Sequence, residues 1–205
     1  MGATEGFGTL ILAPHLAQLT RKHPHLSIDL LALPRMLHLS RREADIVISL
    51  ERPTRGSVIV SRLSDYSLYL YGQREYLARK PLVATREDLR HHAFVSYVDD
   101  LLFTKELQFL DALHQPERFA FRSTSITAQY EAVRAGAGLA VLPAFLADRD
   151  PVLTRVLPQE GQFTRTFWMS MPSESKHLAR MQVTWAFLRE TVAAQQELLK
   201  PKAVR

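Results

Sequence analysis

The residues with most chemistry to offer lie in one stretch, Arg122 to Pro143, which reads RSTSITAQYEAVRAGAGLAVLP. Ser123, Thr124, Ser125 and Thr127 are all types whose side-chain oxygens accept the orphan amide hydrogens at a helix start. Two uses for this cluster stay open. The hydroxyls cap a helix beginning near Ile126, or they join its unpaired amides to cradle a small anion such as a carboxylate. Enzyme chemistry would need a constellation that the chain does not offer. His91 and His92 are adjacent and diverge by about 100° on a helix, so they cannot easily share a metal, and His23 and His25 flank a proline. Gly6 and Gly8 make half of a phosphate loop at best, and Asp99 with Asp100, neighbours on a loop, read as a helix cap rather than a paired-carboxylate site. No G-x-S-x-G elbow, Walker A, G-x-G-x-x-G or H-E-x-x-H pattern occurs. Neither catalysis nor a metal or cofactor is expected.

The elements that must position the hydroxyls follow from the same stretch. Ala128, Ala132, Val133 and Ala135 give a small-residue helix that can lie close to a sheet. Gly136 and Gly138 suit a left-handed cap and a tight exit, Leu139 to Leu142 reads as a strand buried on both faces, and Pro143 stops it. Upstream, MGATEGFG reads as the tail of a strand and a glycine-rich turn opening into a helix. Leu12, Leu16 and Leu19 form one helical face, with Pro14 implying a kink or a restart. Leu26 to Leu33 is expected as a strand, 37–43 as a short helix, and Ile46 to Leu50 and Val58 to Leu63 as strands. A first passage between subdomains is placed at Ser64 to Tyr71, followed by helix Gln73 to Arg79 and a capping box at Thr85 to Asp88. Thr104 to Leu113 is expected as a helix, Phe119 to Phe121 as a strand, and Phe163 to Met171 as the return passage. Met181, Trp185, Leu188 and Val192 mark a final amphipathic helix from about Leu178 to Leu199. Two α/β lobes joined by two crossing strands result.

Composition sets limits on partners. The 205 residues, 46% hydrophobic and 23% charged, suit one large or two small α/β subdomains with real cores. There is no apolar run of about 18 residues and no secretory leader pattern, so no membrane is expected as a partner. The absence of cysteine rules out disulfides and thiolate sites and fits a cytoplasmic location. The net charge of +5 comes from scattered arginines without interleaved aromatics, which reads as a solvated basic surface rather than a nucleic-acid face.

In a two-lobed α/β protein ligands meet the carboxyl ends of the strands. The segments that arrive there are Thr4 to Gly8, Pro34–Arg35, Ser96 to Val98 and Ser123 to Ser125. They nominate Thr4, Glu5, Phe7, Pro34, Arg35, Ser96, Tyr97, Thr124 and Ser125 as ligand contacts.

The string EAVRAGAGLAVLP resembles the "aaV.aG.Gia.lP" signature of the effector-binding domain of LysR-type transcriptional regulators. It comes in the right order with GTLILAPHLAQLTRKHPHLSIDL, RREADIVISL, SLYLYGQREYLAR and FWMSMPSESKHLARMQVTWAFLRE, so the resemblance covers essentially the whole chain. It implies an α/β fold of two Rossmann-like subdomains, 1–64 with 165–205 and 65–164. Two crossover strands join them in the type 2 periplasmic-binding-protein-like manner, with an effector cleft between them. By the same resemblance the four segments line the inducer site. Phe7 falls where the family often has a small hydroxyl residue, Arg35 falls where its fork can meet a carboxylate, Ser96 and Tyr97 match a strand end, and Thr124 and Ser125 match the helix-capping contact. The family's first strand is usually complete, so here it is either trimmed or short. The winged helix-turn-helix domain that lies N-terminal in the family is absent from this chain, and DNA is expected as a partner only through it. A dimer of the domain, a tetramer of the full-length protein and a small, carboxylated effector are further implications. The alternative is a stand-alone periplasmic-type solute receptor, monomeric and preceded by a signal peptide or lipobox. An enzyme of the same fold would need a polar residue pair that the sequence lacks.

Overall fold

A computed structural model describes residues 1–34, 39 and 43–201. Strand β1 (Gly2–Thr4) runs straight into helix α1 (Glu5–Phe7), a π-helical turn Gly8–Leu12 and helix α2 (Ala13–Lys22). Next come β2 (Leu31–Leu33), β3 (Val47–Ser49), the long β4 (Val58–Gln73), α3 (Arg74–Ala78), a 3-10 turn Glu87–His91 and β5 (Phe94–Ser96). Two 3-10 turns, Asp99–Leu101 and Lys105–Leu107, lead to α4 (Leu110–Leu113), β6 (Phe119–Arg122), α5 (Ile126–Arg134), β7 (Ala140–Pro143) and α6 (Ala144–Ala147). The chain closes with β8 (Leu153–Val156), β9 (Gln162–Pro172), a 3-10 turn Ser173–His177, α7 (Ala179–Ala194) and α8 (Gln196–Leu199).

The chain forms two compact units, one of Met1–Asp65 with Thr166–Gln196, the other of Tyr66–Arg165 with the stretch starting at Glu197. In the first unit β2, β1, β3 and β9 follow one another in the sheet, with β4 next to β9. β1 is parallel to β2 and β3, while β9 runs antiparallel to β3 with Ile48 opposite Met169. Leu12, Leu16 and Leu19 are all buried, as their spacing demands. The glycine-rich turn expected at the start does not form, because Gly6 and Gly8 are helical. Their small size serves packing instead: a Cβ on Gly8 would sit 2.8 Å from the Cβ of Ala32, so only glycine lets the helix lie on β2. Pro14 lacks an amide hydrogen, and it sits in the first turn of α2 just after the π-helical turn, which is the expected restart. Only Leu31–Leu33 of the expected strand 26–33 finds a partner. The expected helix 37–43 falls mostly outside the described residues. On α7 the buried side is Met181, Thr184, Leu188, Thr191 and Val192, with Trp185 half-buried at its margin.

In the second unit the far end of β4 is central, antiparallel to β7 on one edge and to β8 on the other. The two strands expected from 58 to 71 are one continuous strand. Tyr69 and Leu70 are wholly buried, as are Phe94, Val133, Leu139, Ala140 and Leu142. β5 is parallel to β6 and is tied towards β7 by the amide of Val95 donating to Leu139 O and that of Leu139 donating to Ala93 O. Gly136, at φ 79°, ends α5 in the left-handed region. The helix expected over 104–113 is broken into Lys105–Leu107 and α4 with an extended Gln108 between. Leu107 and Phe109 are both buried, yet two residues apart on a helix they would point some 200° away from each other. Breaking the helix buries both. α7 ends at Ala194, and past the break at Gln195 Leu199 is fully buried.

Candidate functional site

The N-terminus of α5 is built from its own hydroxyls. Ser125 accepts the amide hydrogen of Ala128 at 3.0 Å, and Ser123 Oγ accepts that of Ser125 at 3.1 Å. The amide of Ser123 donates to Ser96 O at 3.0 Å, which joins the end of β5 to the start of the helix. Of the two uses left open by the sequence, capping is the one that these two oxygens perform.

The nominated contacts fall into two groups. In the first unit, Thr4 and Glu5 mark the junction of β1 and α1, and Thr4 is in register with Leu33, so Pro34 follows on the neighbouring strand end. All three are half-buried, and Arg35 lies outside the described residues. Phe7 corrects the expectation: it is 1% exposed and stacks on Phe167 with ring centroids 4.1 Å apart, so it belongs to the core rather than a pocket wall. The reason is helical direction, since two residues beyond Glu5 the side chain turns back onto the sheet. In the second unit Ser96, Tyr97, Thr124 and Ser125 are all half-buried around the joint of β5 and α5.

Ser96 and Tyr97 open onto a cavity of about 290 Å³ inside this second unit. Val95, Leu102, Leu107, Phe109, Leu110, Pro116, Phe119 and Val141 supply its apolar wall, and Asp99, Gln108, Asp111, Gln115 and Gln129 its polar one. Sequence reasoning missed Gln129 and Asp111. For Gln129 a signal existed, because it shares the buried face of α5 with Ile126 and Val133, where a polar side chain is out of place. Asp111 and Phe109 were hidden by the helix wrongly expected over 104–113.

Two other polar clusters of the second unit hold its strands and helices together. Tyr71 donates to Asp148 at 2.7 Å, and Arg155 Nε donates to the same carboxylate oxygen at 2.9 Å with its guanidinium 3.7 Å from the Tyr69 ring centre. Burial, reinforced by the hydrogen bond to Asp148, pushes the Tyr71 phenol well above its ordinary range and keeps it protonated. Tyr130 donates to Asp150 at 2.7 Å, and burial together with that bond pushes it up to about 12. Both phenols act as donors to carboxylates. Among the described residues no group of three histidines or carboxylates could hold a metal, and no helix is long and apolar enough to cross a membrane.

The sequence matches the profile of the LysR substrate binding domain over residues 1–193. The chain belongs to that family. Both curated relatives are transcription regulators by name. One is an uncharacterized HTH-type transcriptional regulator of Haemophilus influenzae, 24% identical over 164 residues that make up 76% of this chain and 56% of the relative. Another is the Mau operon transcriptional activator of Paracoccus denitrificans, 31% identical over 136 residues, 66% of this chain and 44% of the relative. The chain thus spans about half the length of these curated relatives. Among solved structures, the regulatory domain of CrgA, a LysR-type regulator of Neisseria meningitidis, superposes with a TM-score of 0.78 at 22% identity, covering 93% of this chain and 96% of that one. The effector domain of AmpR from Pseudomonas aeruginosa gives 0.74 at 19% identity, over 95% and 94%. These two establish the type 2 periplasmic-binding-protein-like α/β fold of the LysR domain. Nothing in the match favours a stand-alone solute receptor.

Proposed function

We propose that this LysR domain senses a small, carboxylated effector and oligomerises on behalf of a DNA-binding region carried elsewhere in the full-length regulator. Thr4, Glu5, Pro34, Arg35, Ser96, Tyr97, Thr124 and Ser125 are its contacts, with Arg35 and the Thr124 hydroxyl meeting the carboxylate. The supporting observation is the joint of β5 and α5, which gathers four of these residues around one helix N-terminus beside a cavity. Binding acts by population shift: an effector that prefers one conformation of the domain by about 1–3 kcal/mol changes promoter occupancy measurably. The reading requires a cytoplasmic protein, and a dimer of this domain within a tetramer of the whole.

A thermal-shift screen of small carboxylates and aromatic acids tests it. The expected result is a stabilising acid whose effect falls in Arg35→Ala and in Thr124→Val. A hit indifferent to both substitutions would remove these residues from the site.

A further inference from the structure

We propose that Gln129 is the positioning residue of the turn Ser123–Ser125: it fixes the peptide that presents Thr124 and so sets how tightly that residue grips an acid. The inference deepens the effector reading and rests on it for the ligand, since Thr124 and Ser125 are contacts of that reading.

Gln129 is 1% exposed, on the face of α5 that also buries Ile126 and Val133. An apolar residue is the ordinary occupant of such a face, because a buried amide costs free energy unless it is hydrogen-bonded. The bond that offsets this cost lies outside the helix. Gln129 Nε2 donates to the carbonyl of Ser123 at 2.9 Å, six residues back and beyond the cap at Ser125. Its main-chain amide donates to the carbonyl of Ser125 at 3.1 Å, the usual helical bond. One residue therefore holds the two carbonyls that flank Thr124. From the other side, Ser96 O accepts the amide of Ser123 at 3.0 Å.

Peptide geometry carries the effect to Thr124. The carbonyl of Ser123 and the amide of Thr124 share one planar trans unit, in which C=O and N–H point in opposite directions. With the carbonyl held towards Gln129, the Thr124 amide hydrogen points away from it. Neither that amide nor the Thr124 hydroxyl has a hydrogen-bond partner among the described residues. Two donors on one immobilised residue suit the two oxygens of a carboxylate.

Amide hydrogen exchange, read residue by residue on this chain by NMR, tests the placement without a ligand. Gln129→Leu roughly keeps the volume and deletes the bond. It is expected to speed exchange at Ser123 and Ser125 by at least about threefold and to leave Leu139 of the same unit unchanged. Benzoate, titrated by thermal shift, is expected to bind this variant at least about threefold more weakly. Gln129→Glu separates positioning from packing. Burial, with Asp99 and Asp111 lining the same cavity, raises the introduced carboxyl. Its neutral form donates to Ser123 O, and its ionised form only accepts. At about pH 5 this variant should match the unsubstituted chain, and at about pH 8 it should match Gln129→Leu. No change at Ser123 and Ser125, equal acceleration at Leu139, or a Gln129→Glu variant without this pH profile overturns the proposal. The two readings fail separately. If benzoate binds through Thr124 equally well with and without the Gln129 amide, the positioning role falls alone. If the turn loosens as expected while no acid of the screen stabilises the chain, the role of Gln129 in fixing the turn stands and the acid-effector reading falls.

Discussion

Gly138 is pressed so close to the neighbouring strand that a Cβ in its place would lie 2.3 Å from the carbonyl oxygen of Ala93. Backbone cannot yield cheaply there, because Ala93 O also accepts the amide of Leu139. Gly138→Ala is therefore expected to cost at least about 2 kcal/mol, read from urea unfolding midpoints. His92 gives a pH dependence. It is buried, and its Nε2 donates to Pro81 O at 3.1 Å, while Nδ1 has no partner among the described residues. Burial holds its pKa below the ordinary value, with Lys80 and His91 adding to the effect and the Pro81 bond and Asp88 opposing it. The unfolded chain consequently binds the proton more readily. His92 contributes stability that is complete above about pH 6.5 and is lost as pH falls below it. Urea titrations between pH 7 and pH 5 should show a shallower loss in His92→Gln than in the unsubstituted chain. An equal slope in both would show that His92 does not report on folding. At this scale the sequence was informative where a residue type had one physical use. Gly136 and Gly138 fall into that class. Phe7 did not, because whether an aromatic faces a pocket or a core depends on which way its helix turn points.

Elements were legible where the period of apolar residues agreed with local signals. The run from Ser125 to Pro143 carries cap, helix, glycine exit and buried strand in order, and each appears where its residues place it. Losing the cap should be felt locally: Ser125→Ala is expected to destabilise the chain by about 1 kcal/mol, while Ser125→Asp, which keeps an acceptor, is expected to hold most of it. Chemical denaturation of both variants checks the difference. Where a pattern fitted two structures the reading failed. Leu107, Leu110 and Leu113 are spaced three apart, which a helix and a broken pair of turns both accommodate, and the burial of Phe109 chose the latter. Short-range pattern also misjudged 26–33, since five of its residues lack a strand partner and only the sheet decides that. The candidate cavity suffered most, because its wall comes from 95 to 141 and the proximity of those residues is a tertiary fact.

For the molecule as a whole, family membership was readable because the motifs spread over the full chain, and the profile match over residues 1–193 agrees. Oligomerisation is the prediction that belongs here. β6 pairs only with β5 among the described strands and leaves Phe119 and Phe121 exposed. An uncovered apolar edge of this kind invites a second chain. Sedimentation at tens of micromolar should find a dimer, and Phe121→Lys should shift it toward monomer. A chain that sediments as a monomer throughout would refute the proposed oligomer.

The first unit is sewn from both ends of the sequence, with about a hundred residues, Tyr66–Arg165, looped out between its halves. Strand β9, which lies between β3 and β4, belongs to the later half. On a ribosome adding about 5–20 residues per second, β3 therefore emerges roughly 6–24 s before its antiparallel partner exists. Through that interval the nascent protein carries an unzipped hydrophobic border, so the pace of translation across the looped-out segment sets how long chaperones must shield it.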